Sequence, residues 1–214
     1  MAARLIAITQ PLIPSVKTAE DLISYAARVS NPAQQLNASN RLIGYCIKNK
    51  HWSIFEQASM TIEIKTTRAI SAQILRHRTF TFQEFSQRYA EVTEKPMPQE
   101  ARLQDTKNRQ NSIITDDEDL KKWWSAEQNA MYDANVKLYE EAIARGIAKE
   151  SARMVLPMSS PTTLYMTGTV RSWIHYIDLR SSNGTQKEHM DIANACKDIF
   201  NFHFPVTADA LEWK

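Results

Sequence analysis

Glycine is scarce in this chain, with four in 214 residues. Neither a Walker phosphate loop nor the dinucleotide fingerprint can be written with so few, so a nucleotide has to be held by side chains rather than by a glycine-lined backbone cradle. Cysteine is scarcer still, at two. Cys46 and Cys196 both fall inside amphipathic helical patterns (Leu42, Ile43, Cys46, Ile47; Ile192, Ala195, Cys196, Ile199), where small thiols are expected in the core. They form no metal-ligand spacing, and a chain of this size suggests no disulfide framework. No apolar run approaches the roughly 20 residues that cross a bilayer. Residues 1–12 are too short and too polar for a signal peptide, so a cytoplasmic protein without membrane contact is expected. Net charge is only +2, so the chain as a whole is no electrostatic trap for nucleic acid, and basic function has to come from local clustering.

What is present is an ordinary globular composition, 43% hydrophobic and 23% charged, long enough for one large domain or two small ones. Residues 4–9 read as a short strand ended by Pro11 and Pro14. Thr18, with Asp21 three residues on, caps a helix whose apolar face is Leu22, Ile23, Ala26 and Val29. Ser39 starts the next helix, over 40–50. Residues 59–66 alternate Met60, Ile62 and Ile64 against Thr61, Glu63 and Lys65, the period of a half-buried strand. Residues 94–112 are polar and aperiodic, with Pro96 and Pro98, and predict an exposed loop. Over 117–145 a long helix is expected, stopped by Gly146. Its stripe includes Leu120, Trp123, Trp124, Met131, Leu138 and Tyr139, which places both tryptophans in the core. A short helix over 149–155, a strand over 162–167, a helix to Arg180, a last long helix over 187–200 and a short one from Pro205 complete the chain.

The chemistry is densest between Arg76 and Tyr89. Ile70, Ile74 and Leu75 give residues 67–75 helical spacing, which puts Gln73, Arg76 and His77 on one side. If residues 83–89 are extended, the period of two aligns Glu84, Ser86 and Arg88 on one face and Phe85 and Tyr89 on the other, with the aromatic face as anchor. Guanidinium forks match phosphate oxygens, and Gln or Ser reads ring edges, so this surface suits a nucleotide. A solvated basic turn with structural ion pairs is the alternative for any one of these arginines.

Arg76-His77-Arg78, seven residues, then Ser86, with Arg88-Tyr89 following, resembles the signature of the flavin-dependent thymidylate synthases. Four further segments resemble the same family. They are Ala27-Arg28-Val29-Ser30, His51-Trp52-Ser53-Ile54-Phe55-Glu56, Ala152-Arg153-Met154-Val155-Leu156-Pro157 and the helix from Thr169 to Arg180, on which Arg171, His175 and Asp178 follow one another by a turn and share a polar face. The resemblance implies an α+β fold, mixed helices packed on a small, mainly antiparallel sheet, in a single domain over 1–214. It implies dUMP as acceptor, methylenetetrahydrofolate as carbon donor, FAD as cofactor, NADPH as reductant and a homotetramer with sites shared between subunits. Carried over residue by residue, it gives Gln73, Arg76, Glu84, Phe85, Ser86, Gln87, Arg88, Arg153 and Arg180 to dUMP. It gives Ser30, Ser53, Glu56, Arg76, His77, Arg78, Glu84, Thr169, Arg171 and His175 to FAD, and His51 to the folate and NADPH face. Arg180 takes the activating role on the pyrimidine. Gln57, Thr169 and Gly184 depart from residues found in some members. Read without the family, Ser30 is a helix-end hydroxyl, His51 a helix-terminal imidazole, and Arg153 a guanidinium that needs either a phosphate or a structural carboxylate.

Neither cysteine carries the signals of a reactive thiolate, so ring activation falls to another group, and Arg180 is expected to stabilise charge on the N3–C4 edge while a flavin supplies hydride. Ser86 has no histidine–carboxylate dyad placed by sequence to activate it, so substrate binding is the expected role. Two other classes are open: a basic, aromatic nucleic-acid-binding module, and a metal hydrolase using His51, His77 and His175, which have no ligand spacing.

Overall fold

A computed structural model describes residues 2–37, 40–182 and 184–213. The frame is a four-stranded antiparallel sheet in the order β1-β2-β6-β3, formed by Ala2–Ile8, Ser59–Thr67, Pro161–Thr169 and, at the edge, Thr81–Glu84. The period of two in β2 and β6 is obeyed: Met60, Ile62 and Ile64 bury beside Leu164 and Met166, each such side chain contributing about 1.5–3 kcal/mol. On the other face Glu63 pairs with Arg4 and accepts from the Tyr165 hydroxyl at 3.0 Å. That hydroxyl and the Arg4 guanidinium hold the Glu63 carboxyl below its usual range.

Helices cover the apolar face. α1 (Ala19–Ala27) starts on the expected Thr18–Asp21 capping box, and α2 (Asn40–Lys48) follows. α3 (Arg68–Ile74) leaves the end of β2, and α6 (Val170–Arg180) leaves the end of β6. α7 (Lys187–His203) packs on α6 and β1, and α8 (Pro205–Ala210) closes the chain against α2. The core joins Trp173, Tyr176 and Ile177 of α6 to Ile192, Cys196 and Phe200 of α7, and both cysteines are buried within it, as their spacing predicts. Glu20 of α1 reaches across the chain to the start of α8, accepting from the Val206 and Thr207 backbone N–H groups and from the Thr207 hydroxyl. Sequence gave no hint of this clasp, because its partners are 186 and 187 residues apart. Among the described residues no helix is long and apolar enough to cross a membrane.

Several expectations are corrected. The segment 94–112 is not wholly loop: β4 (Arg102–Gln104) pairs with β5 (Ser112–Ile114) in a small hairpin, too short to show a period. The long helix is α4 (Glu118–Ala144), but only part of its stripe is buried. Tyr132, Tyr139 and Ala142 face inward, whereas Trp123 is 56% and Trp124 39% exposed. The helix expected over 149–155 is α5 (Lys149–Ala152) followed by a 3-10 turn, Arg153–Val155. Ser39, the expected start of α2, lies outside the described residues.

Candidate active site

The Arg76–Arg78 triplet sits in the turn between α3 and β3, and Phe80 pins that turn. Phe80 lies over Gly168 so closely that a Cβ there would fall 2.4 Å from its ring. It packs edge-on against Trp173 at 4.9 Å and near Tyr176 at 5.9 Å. Its N–H bonds the His77 carbonyl, and the Ser172 hydroxyl donates to the Thr79 carbonyl at 3.3 Å. The chain just after the triplet is therefore tied to α6.

His77 and Arg180 meet here from elements 103 residues apart: Arg180 donates from Nε to His77 Nε2 at 3.0 Å. The acceptor nitrogen must be unprotonated, which leaves the ring proton on Nδ1. Burial lowers the His77 pKa to about 4, helped by the positive charge of Arg180 and by His175 and Arg76. A neutral imidazole is what lets a guanidinium dock without repulsion. The His77 ring stands edge-on to Tyr176 at 4.9 Å, while Arg76 and Arg78 are exposed. α3 ends at Ile74, yet Gln73 and His77 still share one side, both reaching the buried Tyr176–His189 pair. Sequence reasoning missed His189; the available signal was a histidine interrupting the apolar spacing of Ile192, Ala193 and Cys196.

Beside this pair lies a cavity of about 770 Å³, lined by Trp52, Glu56, Thr79, Thr169, Arg171, Ser172, Ile174, His175, Asp178, Leu211 and Trp213. Arg171, His175 and Asp178 share one face of α6, as their spacing predicts. Of the residues expected at a flavin, Glu56, Thr169, Arg171 and His175 line this space, and His77 is near enough to feel the charge of His175. Glu56 and Arg171 are ion-paired but half exposed, so the pair is worth about 1 kcal/mol or less and exchanges readily for a ligand. Thr169 spends its hydroxyl as the N-cap of α6, accepting from the Ser172 N–H at 3.3 Å. Ser30, His51 and Ser53 are exposed and outside the lining; His51 and Ser53 flank Trp52, which is in it. His51 also stands edge-on to Tyr45 at 5.8 Å.

A second group forms around residues 84–88, and it departs from the expected single surface. β3 stops at Glu84, and the chain turns from Ser86, whose carbonyl accepts from the Tyr89 and Ala90 N–H groups. Phe85 and Tyr89 are exposed, at 37% and 86%, rather than anchoring, while Gln87 is buried at 6%. Glu84 is held through its Oε1, which accepts from Ser71 at 2.7 Å and Thr162 at 3.0 Å and pairs with Arg68 at 2.8 Å. Arg88 pairs with Glu150, one turn before Arg153. Arg153 Nε and Gln87 Nε2 are both buried with no hydrogen-bond partner among the described residues. Desolvated donors without an acceptor are costly, and a guanidinium and an amide N–H suit an anionic ligand.

Among the described residues no hydrogen bond or ion pair joins Arg76, His77 or Arg180 to Gln87, Arg88 or Arg153. Arg76, His77 and Arg180 gather beyond the C-terminal end of α3, whereas at its N-terminal end the Arg68 and Ala69 N–H groups donate to the Ser160 and Met158 carbonyls, a few residues past Arg153. Both cysteines are buried and burial raises both thiols. Among the described residues no cluster of three His, Cys, Asp or Glu could hold a metal.

An α+β protein that presents guanidinium, imidazole and amide groups around an aromatic-walled cavity, without a glycine loop, belongs to the class that holds anionic, ring-bearing ligands by side chains. Comparison with known proteins narrows this. The family model described as thymidylate synthase complementing protein matches residues 11–206. The protein named "Probable flavin-dependent thymidylate synthase" from Paramecium bursaria Chlorella virus 1 is 60% identical over 215 residues, covering 100% of both chains. The flavin-dependent thymidylate synthase of Synechocystis sp. is 53% identical over 216 residues, again covering 100% of both. Among solved structures, a UMP/dUMP methylase, PolB from Streptomyces cacaoi bound with 5-Br dUMP, matches with a TM-score of 0.84 and 25% identity, covering 99% of this chain and 94% of that one. The chain belongs to the flavin-dependent thymidylate synthase family.

Proposed function

We propose that the chain, as a single domain over 1–214, catalyses reductive methylation of dUMP to dTMP in the cytoplasm, with FAD as cofactor, NADPH as reductant and methylenetetrahydrofolate as carbon donor. The observation that carries this reading is the Arg180–His77 bond at the edge of the cavity. A bound flavin, once reduced, supplies the hydride.

The chain's own residues do the rest. Glu56, Arg171 and His175 supply charge and hydrogen bonds to the cavity that would take FAD, with Thr169 shaping it from the start of α6; Arg76, His77 and Arg78 are outside its lining and are assigned to FAD from the turn that leads into Thr79, which is in it. In this reading Ser30 and Ser53 also contact FAD, and His51 belongs to the folate and NADPH face. Arg180, steered through Nε by neutral His77, directs its remaining N–H groups at the pyrimidine and stabilises negative charge developing on the N3–C4 edge. Arg153, Gln87 and Arg88 bind the nucleotide phosphate, which would satisfy the buried Arg153 and Gln87 donors and let Arg88 exchange Glu150 for a doubly charged partner. Ser86 and Phe85 border that group, and Glu84 holds its base rigid through Ser71, Thr162 and Arg68. Buried thiols with raised pKa values make poor nucleophiles, which supports activation without cysteine.

In this reading the two groups complete one site when they come from different copies, and the family resemblance implies that the assembly is a homotetramer with shared sites. Exposed apolar side chains along α4, including Trp123, Met131 and Leu138, are consistent with burial in such an assembly.

The test is the visible spectrum of the purified protein followed by turnover. Flavin bands that bleach with NADPH, and dTMP formed from dUMP and methylenetetrahydrofolate, are expected. A colourless protein that retains oligonucleotides in a salt-sensitive manner would overturn the reading and favour a nucleic-acid-binding module.

A further inference from the structure

His189 is fully buried on α7, and both of its ring nitrogens are bonded. Nδ1 meets Gln73 Oε1 at 3.3 Å, and Nε2 meets the Tyr176 hydroxyl at 3.2 Å. Gln73 Nε2 in turn donates to Gln186 Oε1 at 2.6 Å, and Gln186 Nε2 to Glu188 Oε2 at 2.9 Å. Glu188 is itself buried and ion-paired with Arg102 of the β4–β5 hairpin.

The polarity of this chain of bonds follows from its charged end. A carboxylate only accepts, so Gln186 must turn its amide nitrogen to Glu188 and its oxygen to Gln73. Gln73 must then present nitrogen to Gln186 and oxygen to His189. Because that oxygen only accepts, the His189 proton sits on Nδ1, Nε2 is the acceptor, and the Tyr176 O–H donates to it. Burial, with Arg180 and His77 adding to it, lowers the His189 pKa to about 3 and keeps the ring in this neutral form.

We propose that His189 is a positioning residue: it anchors the oxygen side of the Gln73 amide while Gln186 holds the nitrogen side, and by keeping that amide in its one orientation it strengthens the preference of the site for a pyrimidine with a carbonyl rather than an amino group. This rests on reading Gln73 as a contact to the uracil nucleotide. A free glutamine amide rotates by half a turn and serves either ring edge. Locked as here, Gln73 offers only its second N–H and the second lone pair of Oε1, and the N–H complements a carbonyl and meets an exocyclic amine donor to donor. A buried imidazole in an apolar stripe is costly unless both nitrogens are satisfied, and a purely space-filling role would have been met by an aliphatic side chain.

The test compares His189→Leu, His189→Asn and Gln73→Ala in the flavin-loaded protein, measuring kcat and KM for dUMP and the preference for dUMP over dCMP. His189→Leu is expected to keep its flavin, raise KM for dUMP about tenfold with a smaller change in kcat, and lower the preference by a similar factor, the equivalent of one lost hydrogen bond. His189→Asn, which returns an N–H near the Nδ1 position, is expected to recover most of both. Unchanged KM and preference in His189→Leu, or a loss that Asn does not repair, overturns the role. Unchanged KM in Gln73→Ala as well shows instead that the reading of Gln73 was wrong. ¹⁵N NMR of the unmodified protein gives a test that needs no variant to fold: a proton on His189 Nδ1 is expected, and a proton on Nε2 overturns the proposal.

Discussion

Gly168→Ala tests how tightly the motif turn is held. The new Cβ would lie 2.4 Å from Phe80 Cδ1 and 2.6 Å from Cε1, distances that no side chain tolerates. The ring has little freedom to retreat, because Trp173 and Tyr176 pack against it at 4.9 and 5.9 Å and it is only 7% exposed. Overpacking of this kind costs about 1–3 kcal/mol. For a chain of this length each kcal/mol is worth about 2–4 °C, so the thermal midpoint should fall by roughly 2–12 °C. Phe80 is three residues past His77 and bonded to its carbonyl, so the displaced ring also drags the turn, and flavin occupancy should fall with the midpoint. Circular dichroism melts at fixed protomer concentration, with flavin absorbance measured on the same samples, give both readouts. In a Phe80→Leu background the alanine should cost less than half as much, since the shorter side chain yields. A midpoint and flavin content unchanged in Gly168→Ala would refute the claim that Phe80 fixes the motif.

Arg180→Ala should keep the fold and the flavin yet lose methyl transfer, and unchanged turnover would remove the assigned role. The same variant deletes a hydrogen-bonded positive neighbour, so the His77 pKa should climb from about 4 toward its ordinary value, as followed by NMR titration; an unmoved pKa would contradict the pairing. His77 and His189 are both depressed in the folded chain, to about 4 and about 3. The unfolded chain therefore binds more protons as pH falls below about 6.5, and the stability these rings contribute is complete above that pH and lost progressively below it. Between pH 7 and 5 the loss should reach at most about 2 kcal/mol per histidine, read from urea midpoints, and His77→Asn should flatten the dependence. Glu20→Gln replaces an acceptor of three bonds at the start of α8 with an amide; a cost of about 1–3 kcal/mol is expected, and none would show the clasp to be idle.

Local patterns were legible where local physics decides. The Thr18 capping box, the alternation in β2 and the shared α6 face of Arg171, His175 and Asp178 all follow from spacing alone. The period of two failed beyond Glu84 because the chain turns at Ser86, so Gln87 went inward and the aromatics outward. Trp123 and Trp124 were misplaced because a helical stripe does not say which elements are at hand to cover it. The Arg180–His77 bond, the Glu20 clasp and the His189 network were invisible for a common reason: each joins segments about 100 residues apart or more, and only the fold brings them together.

Subunit complementation tests the shared site most directly. Arg153→Ala and Arg180→Ala should each be inactive alone, since each removes one half of every site. Co-expressed with different tags and purified as mixed oligomers, they should regain a substantial fraction of thymidylate formation, because some sites then receive intact Arg153 from one copy and intact Arg180 from another. Mixed oligomers that stay as inactive as either parent would show that both arginines serve a site within one chain, and the two-copy arrangement would be wrong.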